Sequence, residues 1–398
     1  MLNQKILLAH NHYRNAGGED TVFATESALL EGHGHSVIRY AVRNDALKSL
    51  NPFQVAGKAI WNSETYHEIR KLIRRYAIDI LHVHNTWFVL SPSIYAAAQE
   101  EGIAVVQTLH NYRLLCPSST HFYREGKICE DCLKKRYPFP GIRHACYRHS
   151  RMQTAVLAST LSFHHWRKTW TRHVDMYIAL TEFGRQKFVQ GGLPREKIVV
   201  KPNGAYPDPG VREKDEKGQY VLFAGRISRE KGILTLLEAW KPLNEIPLKI
   251  LGEGALTPKI HATLRTFPNM PVEICGQRPR EEVLRMMKKA RFLVFPSEWY
   301  EGFPMLLVEA FASATPVIAS RLGAMAEIVT DGETGMHFTA GDSEDLRNKV
   351  LWAWEHASEM QEMGWNARRE YEKKYTAEKN YQRLMEIYRL AQKRAKES

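Results

Sequence analysis

The chain has 398 residues, 44% of them hydrophobic and 25% charged, with a formal net charge of +12. At ~150 residues per domain, that length predicts roughly two to three domains whose cores need no disulfide or metal staples. The composition excludes a collagen, a mucin-like chain and a wholly disordered protein, and no apolar run approaches the ~18 residues of a membrane span.

The N-terminus reads MLNQKILLAHNHYRNAGG. Its apolar stretch of about five residues is too short for a signal-peptide core, so a cytosolic chain without a spanning segment is expected. Strand patterns then follow in order. KILLAHN (5–11) leads through a glycine turn into a helix ending at Gly32. SVIRYAV (36–42), DILHVHN (79–85), IAVVQTLHN (103–111), VDMYIALT (174–181) and KIVVKPNG (197–204) come next, with helical stretches between. Strands alternating with helices predict parallel βαβ units and a doubly wound sheet.

The polar, charged stretch Asp208–Gly218 reads as a linker. After it the alternation restarts with YVLFAGR (220–226), LKILGEG (248–254), VEICGQ (272–277), FLVFPS (292–297) and TPVIAS (315–320). The expected architecture is α/β, with two Rossmann-like doubly wound domains facing a central cleft. The first spans 1–207 and carries an insertion at 112–150; the second spans 208–375. A basic amphipathic helix at 376–398 is free to pack back on either domain, the first included. Ligands of such sheets sit at the carboxyl ends of strands.

Three motifs carry chemistry. EGFPMLLVE places Glu301 in a loop and Glu309 on the helix that starts near Pro304. Two carboxylates framing a helix start suit neutral hydroxyls, while the helix N–H groups suit anions; the alternative is a pair of solvated acids. FAGRISREKG ends a strand at Gly225 and puts Arg226 and Lys231 in the next loop. Arginine offers a bidentate phosphate clamp and lysine a point charge; the alternative is two solvated cations. NAGGED (15–20) follows the first strand with Gly17 and Gly18. It is not G-x-G-x-x-G, and the chain holds no G-x-x-x-x-G-K-[ST] P-loop.

Together, in this order and spacing, these motifs resemble a retaining family 4 glycosyltransferase of the GT-B fold. The segment TPVIASRLGAMAEIVTDGETGMHF (315–338) is similar to the one that follows the acidic pair in that family. The resemblance implies that Arg226 and Lys231 bind the diphosphate of a nucleotide-sugar, UDP- or GDP-linked. It assigns the donor sugar hydroxyls to Glu301 and the ribose to Glu309. Gly302, Phe303 and Pro304 become the turn beside sugar and diphosphate. Gly17 and Gly18 become the first-domain loop that meets the diphosphate. His110 faces the transferred sugar, and the backbone at Cys275 and Gly276 takes the base. No cofactor is implied for catalysis, because cationic side chains and helix ends hold the leaving group. Retention is usually described as front-face attack, with the leaving phosphate taking the acceptor proton. A glycan or lipid-linked acceptor in cell-surface polysaccharide synthesis is the expected partner.

The insertion spaces its cysteines as C-x12-C-x2-C-x13-C at Cys116, Cys129, Cys132 and Cys146. That spacing suits a structural zinc, with His121, His144 and His149 as substitute ligands; reduced thiols or a disulfide remain alternatives. Residues 134–173 hold nine Lys/Arg and no Asp or Glu. Within them Met152, Val156, Phe163, Trp166 and Trp170 recur at helical spacing beside His164, His165, Arg167, Lys168 and Arg172. Such a helix reads as an element for an anionic membrane surface, peripheral on the inner face of the cell membrane, or as a core helix with a solvated basic side. A nucleic-acid-binding protein, a non-catalytic binding protein and a GT-B epimerase are the competing functions, and nucleic acid is the least expected partner because it leaves Arg226, Lys231 and the glutamates unexplained.

Overall fold

The computed structural model describes residues 3–13, 17–47, 52–118, 120–212 and 218–397. Asn15 and Ala16 of the glycine loop, and residues 213–217 of the expected linker, lie outside them. The chain divides into two compact units. The first gathers residues up to His121, Glu130–Asn203 and the chain from Asn380; the second gathers Phe122–Cys129 and Gly204–Lys379. The insertion therefore divides, its segment Phe122–Cys129 belonging to the second unit.

In the first unit, β1 (Lys5–His12), β2 (Ser36–Arg43), β3 (Ile80–Asn85) and β4 (Ala104–Leu109) form a parallel sheet. The two-residue strands β5 (Tyr123–Arg124) and β6 (Lys127–Ile128) form a separate hairpin that belongs to the second unit. β7 (Met176–Ala179) and β8 (Ile198–Val200) then complete the six-stranded order β2-β1-β3-β4-β7-β8. Strands β3, β4 and β7 are buried along their whole length, as expected of a parallel sheet covered on both faces. The C-terminal helix Ala377–Glu397 buries Tyr381, Leu384, Met385, Tyr388 and Ala391, an i, i+3, i+4 stripe. Its residues Tyr381 and Tyr388 bond His35 and His82 through their hydroxyls, each at 2.8 Å.

In the second unit, β9 (Val221–Ala224), β10 (Leu248–Leu251), β11 (Val272–Gly276), β12 (Phe292–Phe295), β13 (Val317–Ser320) and β14 (Met336–Phe338) take the order β11-β10-β9-β12-β13-β14. The strand period of two sends alternate residues to opposite cores. Val221, Phe223, Phe292 and Val294 pack with Ile233, Leu236, Trp240 and Val350 on one face. Leu222, Leu293, Phe295 and Val317 pack with Leu307, Phe311, Met325 and Tyr371 on the other. β14 was not among the expected strands; three residues inside a turn-rich stretch carry too little pattern to be read.

The expected helix at 151–173 is interrupted. Helix Arg151–Trp166 ends, Lys168 takes a left-handed φ of 56°, and a short helix Thr169–Arg172 follows. The break turns Trp170 inward, where it is buried, while Met152, Phe163 and Trp166 stay exposed. His164 is buried too, held by Thr169 and the carbonyl of Ile60. No helix among the described residues is long and apolar enough to cross a membrane.

Candidate active site

The winding of the second sheet reverses between β9 and β12, the place where doubly wound sheets bind ligands. Both loops that leave this point carry the expected motifs. Gly232 sits at φ 70°, and a Cβ there would lie 1.7 Å from the carbonyl oxygen of Pro296. Only glycine permits that approach of the two loops. The approach sets Lys231 Nζ 2.6 Å from Glu301 Oε1, and the Ser297 hydroxyl donates to the same oxygen at 2.5 Å. Burial raises the Glu301 pKa, but Lys231, Ser297 and Trp299 outweigh it and hold the carboxyl below its usual value. The Lys231 ammonium also lies 5.4 Å from the Trp299 ring, within cation–π range.

Arg226 is mostly exposed and lies 3.4 Å from the buried Glu230, which accepts the Ser228 hydroxyl at 2.7 Å. The guanidinium is thus tethered on one side and open on the other. Gly302, Phe303 and Pro304 lead from Glu301 into helix Met305–Ala312, with Pro304 at the N-cap rather than the first helical position. The first amides of that helix lack intrahelical acceptors. Glu309 is engaged by Arg280, whose Nε and Nη2 lie 2.9 and 2.8 Å from Oε1. Burial raises the Glu309 pKa and Arg280 offsets only part of that. Cys275 and Gly276 end β11 and line an open cavity of about 840 Å³ with Gly252, Glu253, Gly254 and Thr257. Gly252 is obligatory there: at φ 132°, a Cβ would fall 1.9 Å from the Gly225 carbonyl oxygen.

In the first unit, Gly17 and Gly18 are exposed at the start of helix Gly18–Gly32. The Gly17 amide donates to Asp20 Oδ2 at 2.6 Å, and Asp20 Oδ1 meets His10 Nε2 at 2.9 Å and His12 Nδ1 at 2.5 Å. Glu19 accepts from the Asn85 and Asn111 carboxamides, both at 3.2 Å. Burial pushes its pKa up to about 8. His110 directly follows β4 and pairs with His84, Nε2 to Nδ1, at 2.9 Å. Burial holds the His110 pKa well below its ordinary value. In the insertion, Cys116 and Cys132 are buried and Cys129 and Cys146 partly so; among the described residues, no group of three or more side chains placed to hold a metal ion includes any of these cysteines, or His121, His144 or His149.

Sequence reasoning missed Ser297, Glu230 and Arg280, which brace the expected donor residues, and the buried set around Glu26. Ser297 lies four residues before Glu301 at the end of its strand, a signal that was legible. Arg280 reaches Glu309 only through tertiary packing.

Comparison with known proteins agrees with this geometry. The family model described as Glycosyltransferase Family 4 matches residues 11–208, and the one described as Glycosyl transferases group 1 matches 208–370. The chain is 29% identical over 233 residues to the uncharacterized glycosyltransferase MJ1178 of Methanocaldococcus jannaschii, covering 58% of this chain and 64% of that protein. It is 29% identical over 194 residues to the D-rhamnosyltransferase WbpZ of Pseudomonas aeruginosa, covering 46% and 51%. The alignments thus span about half to two thirds of these relatives' own lengths. Sucrose-phosphate synthase from Thermosynechococcus elongatus shares the fold, with a TM-score of 0.73 at 17% identity over 97% of this chain and 98% of that one. Anabaena HepE, solved in complex with UDP, does so with a TM-score of 0.67 at 18% identity over 96% and 99%. With both halves matched and the two parallel α/β sheets in place, the chain belongs to the family 4 glycosyltransferases of the GT-B type.

Proposed function

We propose that the protein transfers a sugar from a UDP- or GDP-linked donor to a glycan or lipid-linked acceptor of cell-surface polysaccharide synthesis, with retention at the anomeric carbon. The observation that carries this reading is the Lys231–Glu301–Ser297 constellation at the reversal point of the second sheet. It offers a buried carboxylate for sugar hydroxyls beside a cationic loop for a diphosphate. Arg226 and Lys231 supply the charge that a divalent ion would otherwise bring to the leaving group, so transfer proceeds in EDTA. Glu309, once released by Arg280, takes the ribose hydroxyls, and the cavity at Cys275 and Gly276 takes the base. The UDP complex of HepE supports a nucleotide donor, and the rhamnosyltransferase name of WbpZ supports transfer of a sugar. The test is the anomeric configuration of the product made from UDP- and GDP-sugars, followed by proton NMR in EDTA. An α-linked product from an α-linked donor is expected; an inverted product, or an absolute metal requirement, overturns the proposal.

The acceptor side meets an anionic lipid surface. Tyr137, Phe139, Met152, Phe163 and Trp166 are all exposed within one stretch that also carries nine cations and no carboxylate between 134 and 173. Each cation near an anionic leaflet contributes roughly 1 kcal/mol. Replacing Arg136, Arg167, Lys168 and Arg172 with glutamine abolishes sedimentation with phosphatidylglycerol vesicles; undiminished binding refutes this surface.

A further inference from the structure

Beneath His110 lies a buried polar set that donor binding does not use. Glu26 on helix Gly18–Gly32 is 1% exposed and stands 3.0 Å from the equally buried Lys201 ammonium. Its other oxygen lies 3.2 Å from His82 Nδ1 and 3.4 Å from His84 Nε2. Burial opposes the Glu26 charge, but Lys201, His82 and His84 outweigh it and keep the carboxylate ionised. The ammonium neutralises that charge, so the pair imposes no second cation on its neighbours. Both nitrogens of His82 are occupied, by Tyr388 and Thr108 at 2.8 Å each, and burial pushes its pKa down to about 3. His10 approaches from β1, its ring 6.3 Å from that of His84, and its Nε2 is spent on Asp20.

We infer that Glu26, acting through His84, fixes the tautomer of His110 so that His110 presents an unprotonated Nδ1 at the carboxyl edge of the first sheet. The logic is hydrogen-bond counting. Glu26 Oε1 and His84 Nε2 lie 3.4 Å apart without a hydrogen bond between them, but an anionic carboxylate at that distance repels a lone pair and favours an N–H, so His84 carries its proton on Nε2. With that proton on Nε2, the His84 ring offers a lone pair at Nδ1. His110 Nε2 lies 2.9 Å from it and must donate. The remaining nitrogen of His110 is Nδ1, which has no hydrogen bond among the described residues, on a side chain only partly buried. It is an acceptor for a hydroxyl. This rests on the reading that His110 faces the transferred sugar, whose hydroxyls donate as readily as they accept. Glu26 and His84 are positioning residues: they set which hydrogen bond His110 can make and touch no substrate.

The test is nitrogen NMR of the full chain labelled with ¹⁵N-histidine at neutral pH, with His110 assigned by difference against His110→Gln. Wild type should show one His110 tautomer, protonated at Nε2. His84→Gln should keep it, because its carboxamide can accept from His110 and donate to Glu26. His84→Leu should lose it and give mixed tautomers. A proton on Nδ1 in wild type overturns the inference whether or not the variants fold. So does a folded His84→Leu that retains the single Nε2 tautomer. Titrating UDP-glucose and GDP-mannose into wild type separates the two claims. A shifted Nδ1 resonance supports the sugar-facing role; the expected tautomer with no response to either donor defeats that role and leaves the relay standing.

Discussion

Replacing Lys231 with methionine keeps the side chain's length and removes its charge. Glu301 is then left buried, 8% exposed, with its ammonium partner gone. Breaking a buried pair by removing one member costs about 3–5 kcal/mol. Lys231 retains 18% exposure, so the lower end, about 3 kcal/mol at neutral pH, applies. The sign with pH follows from Glu301. Its folded pKa is held below the ordinary 4.5, so its stabilisation is present above that value and is lost as pH falls through the lowered one. In Lys231→Met burial acts unopposed and the carboxyl takes up a proton more readily. The deficit of the variant should therefore be largest at neutral pH and shrink toward acid. Adding Glu301→Gln should restore about 2 kcal/mol, because no unpaired charge remains. Urea unfolding of wild type, both single variants and the double variant across a pH series measures each quantity. Equal deficits for Lys231→Met and the double variant would refute the pairing.

Gly232→Ala should destabilise the second unit by more than about 2 kcal/mol, through a left-handed backbone and a collision with the Pro296 carbonyl; an unchanged urea midpoint contradicts the loop packing. Glu19 should make stability fall as pH rises. Its folded pKa of about 8 stands above the ordinary 4.5, so its contribution is complete below that value and is lost as pH climbs through about 8. Glu19→Gln should flatten the melting-temperature profile across this window, and a parallel profile for both proteins is the adverse result.

Much of the fold was legible because parallel strands are short, apolar runs set between helices. KILLAHN, VVQTL, VLFA and FLVF read directly as buried strands. The hairpin and β14 were not, since strands of two and three residues show no alternation. The helix after the insertion was read as continuous because its apolar spacing runs on to Trp170. The left-handed turn at Lys168 that redirects it has no glycine to announce it. At the site, Arg226, Lys231, Glu301 and Glu309 were named from motifs, but their partners were not. Lys231 meets Glu301 across a sheet reversal, and Arg280 meets Glu309 from a different helix. The first-unit network left one readable trace. His82 and His84 alternate in DILHVHN, which places both rings on the same strand face, and the buried Glu26 waits there.

The most direct measurement is thermal stabilisation by UDP, GDP, ADP and CMP in EDTA, on wild type and on Arg226→Ala. A nucleotide at 100 times its dissociation constant stabilises by about 2.7 kcal/mol. The account predicts that UDP or GDP raises the melting temperature of wild type and that the shift is lost in Arg226→Ala. Wild type unmoved by all four nucleotides, or a shift that survives the loss of Arg226, would contradict it.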